Sequence, residues 1–240
     1  MVQLRSIVFF VLFMVTVIVY SLAILCAWPV AGLAVRRRLA AAWGTASAWL
    51  LARICGLRHR VIGLENLPPP PYVLLSKHQS AWETVVFHAI FPDVVWVLKK
   101  SLLYIPFFGW ALRASGQIFI DRDQGTQAMK KLHRESRRNF DRGTSLIIFP
   151  EGTRVAPGEV GDYKPGGVGI AMAAGLPIVP VAHNAGLYWA RRSLLKRPGE
   201  VQVRIGRPIP TVGLSRTERK ELLNRVREAI EGMMRELSAR

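Results

Sequence analysis

Residues 6 to 35 contain no charged side chain, and residues 7 to 27 are almost entirely Val, Leu, Ile, Phe, Met and Ala. A run of this length can cross the hydrocarbon core of a bilayer, which takes about 20 residues. A cleavable signal peptide is the alternative, because Arg5 supplies a short positive region, but its apolar part spans only about 7 to 15 residues. The run therefore favours a retained N-terminal hydrophobic membrane helix.

The charges that flank this run predict its orientation. Three arginines at residues 36 to 38 follow it at once and outnumber Arg5, which predicts that the bulk of the chain faces the cytoplasm at the inner membrane. Pro29 leaves a second arrangement open, in which the chain bends and lies in one leaflet as a helical hairpin with residues 39 to 54. The sequence does not choose between a spanning helix and such a hairpin.

Short apolar segments alternate with helical patterns through the rest of the chain, as in α/β layer architectures with buried strands. We predict a single α/β domain with a mixed sheet flanked by helices, preceded by the membrane helix. Strands are predicted at residues 59–64, 72–75, 94–98, 117–120, 145–149, 178–182 and 201–205. Helices are predicted at residues 39–54, 81–91, 125–140, 166–174 and 215–237, with a mixed apolar segment at 102–115. Pro180, inside an apolar strand, indicates an edge strand or a bulge.

The balance of charge is strongly basic, with 33 Lys and Arg against 16 Asp and Glu and a formal net charge of +17. Such a balance favours anionic partners, among them phospholipid head groups, phosphorylated substrates, acidic proteins and nucleic acid. The charge is not interleaved with aromatic residues as in RNA-binding proteins, which argues against nucleic acid. Cys26 and Cys55 are the two cysteines, so neither a disulfide framework nor a thiolate metal site is indicated.

Residues 76 to 84 join a predicted strand to a predicted helix and hold a histidine and an acid five residues apart. At such a junction His78 can act as a general base and Glu83 as the acid that orients it. They can meet only if His78 precedes the helix, because five residues on one helix are about 140° apart. Ser80 and Glu83 also fit a capping box, in which the Glu83 carboxylate accepts the Ser80 amide and does no chemistry. A second pair, His88 and Asp93, has the same spacing, so the spacing alone is a weak indication.

Arg122 follows the strand predicted at 117–120 and is placed to hold a phosphate through two parallel hydrogen bonds, which lysine cannot copy. A surface pair with Asp121 is the alternative. Further along, Lys164 opens a predicted helix whose free amides add to a positive field. Both residues therefore suit an anionic oxygen cluster.

The segment Phe-Pro-Glu-Gly-Thr-Arg at residues 149 to 154 follows another predicted strand. Gly152 allows a tight turn that exposes backbone amides, the Thr153 hydroxyl and the Arg154 guanidinium together. Glu151 can accept hydrogen bonds from a hydroxylated substrate. The alternative is an ordinary turn without a ligand.

Taken together, four stretches resemble the 1-acyl-glycerol-3-phosphate acyltransferase family of membrane-associated glycerolipid enzymes. His78 and Glu83 fall on the family's His-x4-Asp motif, with Glu in place of the usual Asp. The other three are the glycine-to-arginine block at 116–122, the Phe-Pro-Glu-Gly-Thr-Arg block at 149–154, matched letter for letter, and the proline-containing block at 178–181. Their order and rough spacing match over residues 72 to 184, close to half of the chain.

The resemblance implies a 1-acylglycerol-3-phosphate O-acyltransferase of phospholipid biosynthesis. His78 would remove the proton from the free hydroxyl of lysophosphatidic acid, and Glu83 would hold the imidazole. The alkoxide would attack an acyl thioester on coenzyme A or acyl carrier protein, giving phosphatidic acid. The acceptor would be bound by Arg122, Glu151, Gly152, Thr153, Arg154 and Lys164. No cofactor, metal or nucleic acid is expected, and the expected partners are membrane lipids, lysophosphatidic acid and the acyl carrier.

On this interpretation residues 1–38 are the membrane anchor, 39–71 a helix and connector, and 72–240 the catalytic domain. Glycerol 3-phosphate and other lysolipids remain open as acceptors. A non-catalytic, membrane-tethered basic protein that binds anions would explain the charge and the anchor, but not His78 or the 149–154 turn. A hydrolase that uses water is a third class, and the lack of a Gly-x-Ser-x-Gly elbow argues against its serine version.

Overall fold

The protein is built around one sheet of seven strands. The computed structural model describes residues 1–238, except for the side chains of Arg122 and Ser238. The strands are β1 (Leu57–Ile62), β2 (Val73–Ser76), β3 (Val94–Lys99), β4 (Ile118–Ile120), β5 (Ser145–Ile148), β6 (Ile178–His183) and β7 (Gly199–Ile205). Their order across the sheet is β1, β7, β6, β2, β5, β3, β4. All neighbours are parallel except β6 and β7. The predicted α/β fold with a mixed sheet is confirmed.

Helices cover both faces of this sheet. They are α1 (Val2–Ala27), α2 (Leu33–Leu50), α3 (Trp82–Ile90), α4 (Phe108–Ala114), α5 (Thr126–Phe140), α6 (Gly166–Ala174) and α7 (Arg219–Ser238). The helix predicted at 39–54 begins earlier, at Leu33, and its last turn is a π-helical turn, Leu51–Cys55. Its early start is stabilised by Arg36, which donates to the carbonyls of Trp28 at 3.0 Å and Ala31 at 2.8 Å and so closes the turn between α1 and α2.

The central strands divide the core into two layers, because alternate side chains point to opposite faces of a sheet. On β2, Leu74 packs into the layer that contains Phe87 of α3. Val73 and Leu75 pack into the opposite layer, with Val226 of α7. Every residue of β2 is buried, as expected for a parallel strand covered on both sides.

Pro180 lies in an interior strand, so the edge-strand prediction is wrong. β6 runs between β7 and β2. Its ladder with β7 begins at Val181, opposite Ile205, and an isolated pair joins Ile178 to Ile209. Two residues of β6 therefore oppose three of the other segment, residues 206 to 208. The ladder is therefore irregular opposite Pro180, with the extra residue in the opposing segment and not in β6, and this irregularity accommodates a residue that has no N–H to donate.

Helix α1 is long and apolar enough to cross a membrane by length and composition. Both of its ends nevertheless contact the body that contains the sheet. Near the amino end, Phe9 is fully buried and meets the Trp189 ring edge-on at a centroid distance of 5.9 Å. Near the carboxyl end, Ile24 packs with Ala111 and Ala114 of α4. The opposite face of α1 exposes large apolar side chains, among them Ile7, Val11, Val15, Ile18 and Leu22.

Strand β1 pairs with β7 along its whole length, from Leu57 to Ile62. It is one edge of the sheet, whose other edge is β4. Residues 57–62 are therefore hydrogen-bonded to the body that we assigned to residues 72–240. The division into anchor, connector and catalytic domain remains a prediction.

Candidate active site

The loop between β2 and α3 lies at the carboxyl end of a central strand, with β6 on one side and β5 on the other. In sheets of parallel strands this end is where ligands bind. His78 occupies this loop, and its side chain is 14% exposed. His88, the alternative at the same spacing, lies inside α3 and stacks on Trp96 at a centroid distance of 4.8 Å.

Glu83, in the first turn of α3, contacts His78 directly. Its Oε1 lies 2.8 Å from Nδ1 of His78 and accepts the backbone N–H groups of Gln79 at 2.9 Å and Ser80 at 2.8 Å. A carboxylate can only accept, so the Nδ1 of His78 carries the hydrogen and Nε2 keeps a free lone pair. The same oxygen atom of Glu83 therefore orients His78 and accepts the backbone N–H groups ahead of α3, so both predicted roles of Glu83 are present together.

Ser80 is not the N-cap of α3, contrary to the sequence prediction. The helix begins at Trp82, and its N-cap is Ala81. The Ser80 hydroxyl accepts the Trp82 amide at 3.0 Å and donates to the Trp189 carbonyl. These two bonds form a turn ahead of the helix, so the helix starts later than predicted and the hydroxyl is committed to backbone partners.

Glu83 is fully buried, and its ionised form is stabilised by its neighbours. Burial raises the pKa of Glu83, but the imidazoles of His183 and His78 and the Ser80 amide lower it by more, so the pKa lies below its usual value. The Nε2 of His183 lies 3.9 Å from the second carboxylate oxygen. That nitrogen donates to the carbonyl of Lys77 at 2.9 Å, and Nδ1 accepts the Ala185 amide at 3.3 Å. Nδ1 carries no hydrogen while it accepts this amide, and burial lowers the pKa of His183 although the Glu83 carboxylate acts in the opposite direction.

The turn at residues 149 to 154 holds His78 from three directions. The Phe149 ring stacks on the imidazole with a centroid distance of 4.0 Å and an interplanar angle of 16°. Oε2 of Glu151 accepts the backbone N–H of His78 at 2.9 Å. The amide of Val155, just beyond the turn, donates to the carbonyl of His78 at 2.8 Å. Gly152, at φ +68°, supplies the left-handed conformation that this turn needs.

Lys77 is a member of the site that sequence reasoning missed. It is fully buried. Its ammonium nitrogen lies 2.7 Å from Oε1 of Glu151, 2.8 Å from Oε1 of Glu231 and 3.1 Å from the Glu159 carbonyl. Glu231 is 154 residues away in the sequence, and no local pattern indicates a pairing over that distance. Glu151, predicted to contact substrate, instead has its carboxylate turned inward with a side-chain exposure of 0%.

Two cavities lie beside this turn. The first, the α1–α3 cavity, measures about 450 Å³ and has Arg154, Thr84 and His88 among its polar members. Its apolar lining includes Phe13, Val17, Trp43, Val85, Trp96, Leu98 and Leu112. The second, the α5–α6 cavity, measures about 560 Å³ and is lined by Gly152, Thr153 and Lys164 together with residues of α5 and α6. The predicted acceptor-binding residues thus divide between two sides of the turn.

Lys164 and Arg122 are the two predicted acceptor-binding residues that lie outside the turn at residues 149 to 154. Lys164 lines the α5–α6 cavity and forms an ion pair with Asp162 at the surface. The Arg122 side chain lies outside the described part of the structure. Its backbone begins a 3₁₀ turn, Arg122–Gln124, close behind β4, and Ile120 at the end of β4 lines the same cavity. Among the described residues, no three His, Cys, Asp or Glu side chains are grouped as metal ligands.

Comparison with known proteins gives one consistent result. The model of the Acyltransferase family matches residues 58–184, slightly more than half of the chain. A 1-acyl-sn-glycerol-3-phosphate acyltransferase from Pseudomonas aeruginosa is 42% identical over 196 residues, which cover 82% of this chain and 76% of that protein. The enzyme of the same name from Saccharomyces cerevisiae is 32% identical over 204 residues, covering 82% and 67%.

A solved structure extends the comparison to the fold. The crystal structure of the 1-acyl-sn-glycerophosphate (LPA) acyltransferase PlsC from Thermotoga maritima superposes with a TM-score of 0.83 at 24% identity. The match covers 100% of this chain and 97% of that one. The likeness therefore includes the α1–α2 hairpin as well as the sheet.

Proposed function

The chain belongs to the acyltransferase family whose members include the 1-acyl-sn-glycerol-3-phosphate acyltransferases, and we propose that it acylates the free hydroxyl of 1-acyl-glycerol 3-phosphate to give phosphatidic acid. The observation that supports this most directly is the contact of 2.8 Å between Nδ1 of His78 and Oε1 of Glu83. It leaves Nε2 available as a base at the carboxyl end of the sheet. The product is an intermediate of phospholipid biosynthesis.

The reaction needs one base and no covalent enzyme intermediate. Nε2 of His78 takes the hydroxyl proton as the oxygen attacks the carbonyl carbon of the acyl thioester. The tetrahedral intermediate collapses, the C–S bond breaks, and the imidazolium returns its proton to the leaving thiolate. The buried Glu83 carboxylate stabilises the imidazolium that forms in between. Ser80 is not the nucleophile, because its hydroxyl is bonded to the backbone of Trp82 and Trp189.

The two cavities suit the two halves of such substrates. The α1–α3 cavity has an apolar lining suited to an acyl chain, and α1 forms part of its wall. The α5–α6 cavity has apolar members such as Ile120, Met129 and Ile148. It also contains Thr153, Lys164 and the amino end of α6, and these polar groups suit the phosphate of the acceptor. Arg122 and Arg154 would add guanidinium groups to the polar ends of these sites. Coenzyme A or acyl carrier protein would carry the donor acyl group, and no further cofactor is required.

Glu151 has a different role in this proposal from the one its motif predicts. Its carboxylate is buried and bonded to Lys77 and to the His78 amide. The carboxylate therefore holds the loop between β2 and α3, while Glu151 also forms part of the lining of the α5–α6 cavity. Gly152, Thr153 and Arg154, on the outer part of the same turn, remain the candidates for substrate contact.

We place the protein at the inner membrane with its sheet on the cytoplasmic side. The exposed apolar face of α1 would lie in the adjoining leaflet, because both ends of α1 pack against the body. Lysophosphatidic acid and phosphatidic acid would then enter and leave laterally. Of the three arginines at residues 36 to 38, Arg36 bonds the hairpin turn and Arg37 bonds Thr144 at 2.7 Å. Arg38 is exposed and would be free to contact anionic lipid.

The test is acyl transfer by purified, detergent-solubilised protein from labelled acyl thioesters of coenzyme A and of acyl carrier protein. Lysophosphatidic acid and glycerol 3-phosphate are offered separately, beside a sample with no acceptor. We expect transfer to lysophosphatidic acid, abolished in His78→Ala and kept in His133→Ala, whose side chain is exposed on α5. Equal turnover by folded His78→Ala would contradict the mechanism, and release of free fatty acid without an acceptor would indicate a hydrolase.

A further inference from the structure

The groups around Lys77 form a largely buried polar cluster behind residues 77–81, the loop between β2 and α3, which we call the base loop. We use the name Lys77 cluster for Lys77, Glu151, Glu231 and Tyr163. The ammonium of Lys77 binds both carboxylates, and the Tyr163 hydroxyl donates to Oε1 of Glu231 at 2.8 Å. Side-chain exposure is 1% for Lys77, 0% for Glu151 and 12% for Glu231. A lysine is rarely buried to this degree unless it is paired.

The two carboxylates of the cluster accept hydrogen bonds from several donors. Oε1 of Glu151 accepts from Lys77 and from the Gly161 amide at 3.3 Å, and Oε2 accepts from the His78 amide. Glu231 accepts from Lys77 and Tyr163. The Lys77 ammonium thus lies between the two carboxylates, while Glu231 also borders a surface pocket that Arg227 and Arg235 line. Without the ammonium, the carboxylates of Glu151 and Glu231 would face each other with no cation between them.

The cluster reaches the proposed base through a short chain of contacts. Glu151 binds the Lys77 ammonium with one oxygen and the His78 backbone N–H with the other. The carbonyl of Lys77 accepts Nε2–H of His183 at 2.9 Å. The residue before His78 is thus held by its side chain on one side and by its carbonyl on the other. Glu231 fixes the ammonium from α7, so the C-terminal helix is joined to the base loop.

We infer that Lys77 and Glu231 are positioning residues for His78, and that docking of α7 through Glu231 sets the geometry of acyl transfer. This inference rests on the proposed function. It extends the catalytic apparatus to a helix that lies outside residues 58–184, the region that the family model matches. A cluster that only docked α7 would affect stability and leave the turnover of the folded enzyme unchanged.

Three variants test the inference: Lys77→Met, Glu231→Gln and the two combined. Small misplacements of a reacting group cost up to about 10²-fold in rate. We therefore expect Lys77→Met to lower kcat by about 10²-fold and Glu231→Gln by about 10-fold, with KM for both substrates within about twofold of the wild type. The double variant removes one of the two facing carboxylates, so its kcat should exceed that of Lys77→Met.

The matched control is Glu236→Gln, on the same helix. Glu236 pairs with Arg204 at the surface and is 61% exposed, so this variant should keep the wild-type kcat. All assays are run at a temperature where each variant is folded. Wild-type kcat in both Lys77→Met and Glu231→Gln, with only a lowered Tm, would overturn the inference, as would a double variant no better than Lys77→Met.

A second measurement does not depend on turnover and covers variants that purify poorly. The backbone N–H of His78 is bonded to Glu151, so its exchange with deuterium reports on the geometry of the loop. We expect faster exchange at His78 in Glu231→Gln and unchanged exchange in Glu236→Gln. Wild-type exchange at His78 in Glu231→Gln would refute the inference. A wild-type protein that fails to acylate any lysolipid would refute the proposed function instead, so the two failures are distinguishable.

Discussion

One oxygen of Glu83 is 2.8 Å from Nδ1 of His78 and also accepts two backbone N–H groups at the start of α3. The same carboxylate therefore shapes the loop and sets the tautomer of the imidazole. The first role needs only an acceptor oxygen, whereas stabilising an imidazolium needs a negative charge. This difference lets the two roles be separated by substitution.

Replacement of Glu83 by Gln keeps an oxygen for the amides of Gln79 and Ser80 and removes the charge. We expect Glu83→Gln to fold with a near-normal Tm and to lose about 10²- to 10⁴-fold in kcat, because it weakens the general base His78, whose class of residue usually contributes that much. Glu83→Asp keeps the charge and withdraws it by one methylene, so its loss should be smaller, at most about 10²-fold. Steady-state kinetics with lysophosphatidic acid measure both. A Gln variant as active as wild type would leave Glu83 with the capping role alone.

Gly44 allows α2 to approach α3 closely. A Cβ at this position would lie 2.9 Å from the backbone nitrogen of Ala89 and 3.0 Å from the Val85 carbonyl oxygen. Gly44→Ala must therefore push the helices apart, and we expect a loss of about 1–3 kcal/mol in the free energy of unfolding.

The matched control for Gly44 is Gly232, inside α7. The nearest heavy atom to a Cβ there is the end of the flexible Arg235 side chain, at 3.7 Å. Gly232→Ala should stabilise by up to about 1 kcal/mol through helix propensity. Thermal unfolding in detergent measures both variants. Shifts of Tm in the same direction would contradict the close approach of α2 and α3.

Sequence patterns located most of the fold because its central strands are buried on both faces. β2 and β6 are short apolar runs with helices between them, and each predicted boundary lies within a few residues of the observed one. Patterns failed where a distant partner decides the structure. The first turns of α2 are one case, since Arg37 there bonds Thr144, 107 residues away. The sequence pattern predicted only a mixed apolar segment where α4 lies, because the alanines of α4 pack on α1 and give no amphipathic pattern.

The candidate site also contains some residues that local sequence could predict and others whose placement depends on distant partners. His78 and Glu83 are five residues apart, so their pairing was open to local reasoning, and the family assignment that this motif helped to suggest is confirmed. The inward turn of Glu151 was not predictable, because its direction depends on the buried ammonium of Lys77. A lysine beside an apolar strand gives no signal of burial when its second partner is on the last helix.

His88 makes stability depend on pH. Burial lowers the pKa of His88 to about 4, against about 6.5 in the unfolded chain. Between these values the unfolded state binds the proton and the folded state does not, so stability falls as the pH drops from about 6.5 to about 4. The whole effect is about 3 kcal/mol.

A His88→Phe variant keeps an aromatic ring against Trp96 and removes the titration. We expect its stability to fall less steeply with decreasing pH than that of the wild type, while above pH 6.5 the two curves run parallel. Denaturant unfolding in detergent at several pH values measures the slopes. Equal slopes below pH 6.5 would mean that His88 titrates normally in the folded protein.

The contacts of α1 predict that both of its ends lie on the same side of the membrane. The helix has 26 residues and is about 39 Å long at 1.5 Å per residue, enough to cross a bilayer. Its amino end is nevertheless held to the body, where the Lys196 amide donates to the Ser6 hydroxyl at 2.9 Å. The ammonium of Lys196 also lies 5.1 Å from the centre of the Phe9 ring. A spanning helix would have to break these contacts.

Single cysteines at the start of α1 and in the turn that follows it test this topology. Val2 and Val30 are exposed, so each is replaced by Cys in a protein whose own Cys26 and Cys55 are changed to Ser. A membrane-impermeant thiol reagent is applied to sealed vesicles of each orientation. Because both ends of α1 pack against one body, we expect both cysteines to react in inside-out vesicles and neither in right-side-out vesicles. Labelling of Val2→Cys and Val30→Cys in vesicles of opposite orientation would show that α1 crosses the bilayer and that its amino end leaves the body in the membrane.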